Sequence, residues 1–218
     1  IIDSAMVSYE RLPMLEIVFD RLVRLMTTSL RNFTSDNVEV SLDRITSVRF
    51  GDYMNSIGYA VSTDGIHFLR LDRPVMAPGT NPQETRGCED PRLVKIGDTF
   101  HLVYTGFGNR FDGDYRICRA TSKNLITWER QGVVLNEPNK NSSLFPEKIN
   151  GRYCLLHRRY PDIWIAYSDN LHTWTGHTRV LSPIANTWQD ARVGIAGPPI
   201  KVKDGWFLIY HATCSADN

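Results

Sequence analysis

The chain has 218 residues, of which 42% are hydrophobic, 22% charged and 11% aromatic; this globular balance excludes a largely disordered, collagen-like or low-complexity polymer. Lys and Arg number 25 against 24 Asp and Glu, a formal net charge of +1, so no broad field favours nucleic acid or an anionic membrane, and any phosphate site must be local. No apolar run approaches the ~20 residues that a membrane helix needs.

The first residues, Ile1-Ile2-Asp3-Ser4, show no basic start followed by an apolar run, which sets the expectation of a cytoplasmic protein. From Leu12 to Phe33 apolar residues recur in steps of three and four (Leu12, Leu15, Leu22, Leu25, Met26, Leu30, Phe33). That spacing predicts an amphipathic helix, with Pro13 suited to its first turn. Val38 to Leu42 alternates as a half-buried strand does. Residues 1–56 thus read as a small α/β segment without a catalytic constellation, and the apolar stripe over residues 15–30 is a surface for self-association. The run Leu15-Glu16-Ile17-Val18-Phe19-Asp20-Arg21-Leu22, continued by Ser29 to Phe33, Val38-Glu39-Val40 and Phe50-Gly51-Asp52-Tyr53, resembles the start of the middle domain of the flagellar motor switch protein. The likeness stops near Ile57.

Residues 57–218 repeat internally. Ile57 to Phe68 carries Ala60-x-Ser62-x-Asp64 with an aromatic four residues on; Ile117 to Trp128 and Ile163 to Trp174 repeat it with Ala120, Ser122, Asn124 and with Ala166, Ser168, Asn170. Each copy reads as a strand, a Ser/Asx turn and the start of another strand. Between them run hairpins opened by Pro91, Pro146 and Pro199, spaced 55 and 53 residues apart and each turning at a glycine (Gly97, Gly151, Gly205). A four-stranded unit of about 50 residues is a β-propeller blade. The fold expected is all-β, with about three blades of an incomplete propeller behind the α/β segment.

Propeller sites gather where first strands converge, so Glu89-Asp90-Pro91-Arg92 is the leading polar cluster. Adjacent carboxylates on an extended chain face opposite ways, and Pro91 biases Asp90 toward an extended conformation. The basic candidates are Lys140, Lys148, His157, Arg158, Arg159, Arg192 and His211; Arg158 and His211 close equivalent strands, and Arg forks bind phosphate well. Tyr160 and Trp188 stand outside the repeat frame, where stacking on a sugar and loop packing are equal alternatives. Cys88, Cys118, Cys154 and Cys214 form no C-x-x-C pair, so free thiols are expected and no metal site.

Gly87-Cys88-Glu89-Asp90-Pro91-Arg92, Leu144-Phe145-Pro146-Glu147-Lys148-Ile149, Leu156-His157-Arg158, Gly197-Pro198-Pro199 and Trp206 to His211 together resemble glycoside hydrolase family 130. The resemblance implies a five-bladed propeller and an inverting β-1,4-mannoside phosphorylase that makes α-mannose 1-phosphate. It implies no cofactor, with inorganic phosphate as co-substrate and a manno-oligosaccharide or mannosyl-glucose as partner. It assigns the acid to Asp90, phosphate binding to Arg158, Arg192, His211 and Lys140, and substrate contacts to Glu89, Arg92, Lys148, His157 and Tyr160. Since about three blades are present, the ring is expected to be open and turnover reduced or lost. The rival readings are a non-catalytic chimeric binding module and a β-mannoside hydrolase of the same family.

Overall fold

The computed structural model describes residues 21–29, 31, 55–79 and 81–215. The chain divides into two units, Ile1–Arg49 and Phe50–Asn218. In the first, residues 21–29 are helical. Thr27 and Thr28 turn their hydroxyls back along the helix, donating to the carbonyls of Val23 and Arg24, each at 2.9 Å. Leu22, Leu25 and Met26 are exposed on this helix. The expected helix start at Leu12 and the strand Val38 to Leu42 lie outside the described residues.

The second unit is built from strands. β1 (Ala60–Val61) pairs with β2 (Leu69–Arg70). A first four-stranded antiparallel sheet runs in chain order through β3 (Gly87–Ile96), β4 (Thr99–Phe107), β5 (Tyr115–Ser122) and β6 (Glu129–Leu135). A second sheet repeats this order with β7 (Ser143–Leu144), β8 (Tyr153–Arg159), β9 (Asp162–Ser168) and β10 (Thr175–Leu181). Then β11 (Arg192–Ile195) pairs with β14 (Tyr210–Thr213), and β12 (Ile200–Val202) with β13 (Gly205–Phe207). These four short pieces form a third unit, a hairpin with each of its two strands broken once.

The turns explain the regularity. Ser122 Oγ accepts from the amides of Asn124 and Leu125, and Asn124 Oδ1 accepts from those of Ile126 and Thr127. Ser168 and Asn170 make the same four bonds, as do Ser62 and Asp64. In each copy the residue after the Asx is left-handed: Gly65 at φ 77°, Leu125 at 65° and Leu171 at 64°. The side-chain bonds hold two leucines where glycine is favoured. Asn150 and Gly151, both at positive φ, close a two-residue hairpin between Ile149 and Arg152, as the right-handed strand twist demands.

Alternation along the strands separates the cores. Leu155 joins Val94, Val103, Ile117, Leu135 and Trp174 between the first and second sheets. Its neighbour Leu156 joins Phe145, Cys154, Ile163, Val193 and Ile195 on the other side of the second sheet. A third cluster, with Ile57, Met76, Leu102 and Tyr104, covers the outer face of the first sheet. No disulfide joins Cys88, Cys118, Cys154 or Cys214. Among the described residues no helix is long and apolar enough to cross a membrane.

Candidate active site

Asp90 sits at a β-bulge. Glu89 pairs with Thr105 and Arg92 with Val103, so Asp90 and Pro91 together oppose Tyr104 alone. Pro91 has no N–H to give the ladder, and a bulge is where a strand tolerates it. Asp90 takes φ 52°, which costs on the order of 1–3 kcal/mol in a non-glycine residue. The extended conformation expected of Asp90 is therefore wrong. The ladder on both sides fixes two residues against one, and the strand absorbs the excess by turning Asp90 left-handed. Simple alternation with Glu89 is lost as well. Such strain, kept inside an otherwise regular strand, marks a place where a side chain is being aimed.

Charges gather around it at one end of the sheets. Arg158, near the end of β8, is half-buried. Burial, and next the positive charge of Arg192, push its guanidinium below the usual range; Tyr115, Asp90 and Tyr160 oppose that shift. His211 on β14 is held below the ordinary histidine range by desolvation, then by Arg158 and Arg92, with Asp90 opposing. Arg192 begins β11 and is exposed. Lys140 reaches over the Tyr115 ring, 5.6 Å from its centroid. Tyr160, 71% exposed, follows β8 directly. Asp90, Arg92, Arg158, Arg192, His211 and Tyr160 therefore share one electrostatic neighbourhood, with Lys140 attached through Tyr115. Glu89 lies beside it on β3, partly exposed.

Two expected residues are elsewhere. His157 is fully buried. Its Nδ1 meets Asn139 Nδ2 at 3.0 Å and its Nε2 meets His177 Nδ1 at 3.0 Å. Burial lowers its pKa from 6.5 to about 4. The cause is strand alternation: His157 and Arg158 leave β8 on opposite sides. His157 occupies the place that Tyr104 and Tyr210 occupy in the other sheets, and these too bond through their tips, to Glu84 and Gln189 at 2.7 Å each. It is a core residue without surface for a substrate. Lys148 is exposed and lies over the Tyr153 ring at 4.5 Å. Tyr153 starts β8, five residues or about 17 Å of strand rise from Arg158, so Lys148 packs at the opposite end of that strand.

Arg92 is also committed. Its Nη2 donates to the Ile195 carbonyl at 3.0 Å and its Nη1 to that of Pro91 at 3.2 Å. Sequence reasoning missed Tyr115 and Asn139. Tyr115 links Lys140 to Arg158 electrostatically. Buried Asn139 accepts the Arg158 amide on Oδ1 at 3.1 Å. Neither stands in the repeat frame, and a lone Asn in a connecting segment carries no signal. Among the described residues no three His, Cys, Asp or Glu side chains cluster to hold a metal. What the arrangement offers is one carboxyl group among three guanidiniums and an imidazole held toward neutrality, a place where an anion meets a proton donor.

Known proteins resemble this chain in two separate stretches. A family model described as β-1,4-mannooligosaccharide phosphorylase, that of glycoside hydrolase family 130, matches residues 47–218. The model of the flagellar motor switch protein FliM matches residues 8–74. A 1,2-β-oligomannan phosphorylase of Thermoanaerobacter sp. is 68% identical over 164 residues, 75% of this chain and 55% of that protein. FliM of Caulobacter vibrioides is 90% identical over 57 residues, 26% of this chain and 15% of that protein. The solved β-1,2-mannobiose phosphorylase of Listeria innocua, in complex with β-1,2-mannobiose, superposes with a TM-score of 0.67 at 34% identity, over 72% of this chain and 45% of that one. The chain spans about half the length of the mannoside phosphorylases it matches.

Proposed function

Because the chain belongs to glycoside hydrolase family 130, we propose that its Asp90 site transfers a mannosyl unit from a β-1,2-mannoside to inorganic phosphate. The convergence of one strained carboxyl residue with Arg158, Arg192 and His211 carries this reading. An inverting glycosidase needs a second carboxylate to activate water; a phosphate held by arginines needs none.

A phosphate oxygen attacks C1 from the face opposite the scissile bond. The C1–O bond breaks, and Asp90, protonated, supplies the proton to the departing oxygen, directly or through a sugar hydroxyl. The products are α-mannose 1-phosphate and the shortened sugar, and the proton that phosphate brought restores the acid. Arg158 and Arg192 hold the incoming anion by charge-assisted bonds, and Lys140 adds charge at the rim. A neutral His211 donates one hydrogen bond without adding a further positive charge. Glu89 and Tyr160 border the sugar.

The β-1,4 linkage expected from the motifs gives way to β-1,2, the linkage in the names of the 68% identical relative and of the superposed structure. The two four-stranded sheets and the third hairpin are read as blades of the family's five-bladed propeller.

Incubation with β-1,2-mannobiose, with and without phosphate, tests the reading. Formation of α-mannose 1-phosphate only when phosphate is present is expected; release of free mannose at the same rate without phosphate would make the site hydrolytic. Arg158→Ala should raise the KM for phosphate about tenfold or more, because it removes a charge-assisted contact to that substrate.

A further inference from the structure

Two contacts tie the acid's own motif to the strand that carries His211. Arg92 lies two residues beyond Asp90, past the bulge, and its Nη2 bonds the Ile195 carbonyl at 3.0 Å. That bond joins the first strand of the first sheet to the first strand of the third hairpin, 103 residues away. Ile195 follows Gly194, and Gly194 faces His211 in the β11–β14 register. A Cβ built on Gly194 would lie 2.8 Å from His211 Cε1 and closer still to Nε2, so the imidazole fills the space a side chain would take. Gly194 is not among the positive-φ glycines. The glycine is therefore required for room and not for backbone freedom. From Asp90 the path runs through Arg92, Ile195 and Gly194 to His211.

We propose that Arg92 and Gly194 are positioning residues, which together hold His211 in register with Asp90 so that phosphate and acid meet the same sugar. The proposal rests on the phosphorolytic reading above. Arg92 is suited to the task because its planar fork spans two carbonyls, those of Pro91 and Ile195. A lysine offers a point charge with no second arm. Its remaining Nε is buried without a partner, so the fork is fixed by its two terminal bonds alone.

The test uses the whole chain, with the His211 imidazole followed by NMR and inorganic phosphate as the probe. In Gly194→Ala the displaced ring leaves its desolvated place and then its cationic neighbours Arg158 and Arg92, and its titration should rise toward the ordinary 6.5. In Arg92→Lys the charge stays but the bond to Ile195 is lost, and the phosphate concentration that half-saturates the His211 shift should rise about tenfold. A His211 titration in Gly194→Ala equal to wild type, or a wild-type phosphate response in Arg92→Lys, would overturn the assignment. If Gly194→Ala fails to fold, as circular dichroism would reveal, Arg92→Lys decides. A wild-type chain whose His211 ignores phosphate would defeat the phosphorolytic reading instead, and the Gly194→Ala titration would still judge the positioning.

Discussion

The two ends of the strand-built unit differ in kind. At one end the three Ser/Asx turns make the same four bonds in three places, with the left-handed residue at the same step. At the other end no two loops match. One sheet offers the strained Asp90, the second Arg158 and Tyr160, the third hairpin Arg192 and His211. The end that only has to close a strand pair repeats. The end that carries the proposed site varies, as loops on a rigid scaffold do. A sheet of this type is therefore two objects joined by a core: a standard fastening and a variable tool.

That contrast can be broken most directly at Asp90. Asp90→Asn should lower α-mannose 1-phosphate formation by about 10²–10⁴-fold while circular dichroism and the melting profile stay close to wild type. Undiminished turnover would move the acid elsewhere, with Glu89 next in line.

Acid should strike the core beside the site before the repeated turns. His157 has a folded pKa depressed from 6.5 to about 4. Its neutral form is thus the native one, and the unfolded chain binds its proton first. The associated stability is whole above pH 6.5 and declines as pH falls toward 4, by up to about 3 kcal/mol. Urea midpoints between pH 7 and pH 4 measure this, and His157→Gln should flatten the dependence. An unchanged slope in that variant would show that other groups carry the acid sensitivity.

The smallest effect belongs to the repeated end. Asn170→Ala removes the acceptor of the His172 and Thr173 amides, both at 2.9 Å. It should cost about 1 kcal/mol in urea denaturation without altering the KM for phosphate. A change in that KM would mean that the two ends are coupled.

The repeated end was legible in the sequence because its chemistry is local. Ser-x-Asx writes its hydrogen bonds within five residues, and the three prolines mark the period. The residues that gather around Asp90 (Arg158, Arg192 and His211) could be named from the sequence, but their geometry could not. The Asp90 bulge arises from a register set by Thr105 and Val103 on the next strand, which no local reading of Glu-Asp-Pro-Arg contains. His157 was misread because it sits next to Arg158 in a run of site-like residues. The corrective signal was the repeat itself, which aligns it with Tyr104 and Tyr210. Linkage was beyond reach from the motif residues, since the family model described for β-1,4 and a relative named for β-1,2 both match them.

Asn139 has one more consequence. Its Oδ1 must face the Arg158 amide, which can only donate. Its Nδ2 is thereby turned toward Glu137 and His157, so His157 Nδ1 accepts and its proton resides on Nε2. That proton points at His177 Nδ1, which accepts in turn. Both imidazoles are thus single tautomers, chosen by the direction of a main-chain amide, and every donor in the row points the same way from β8 out to β10.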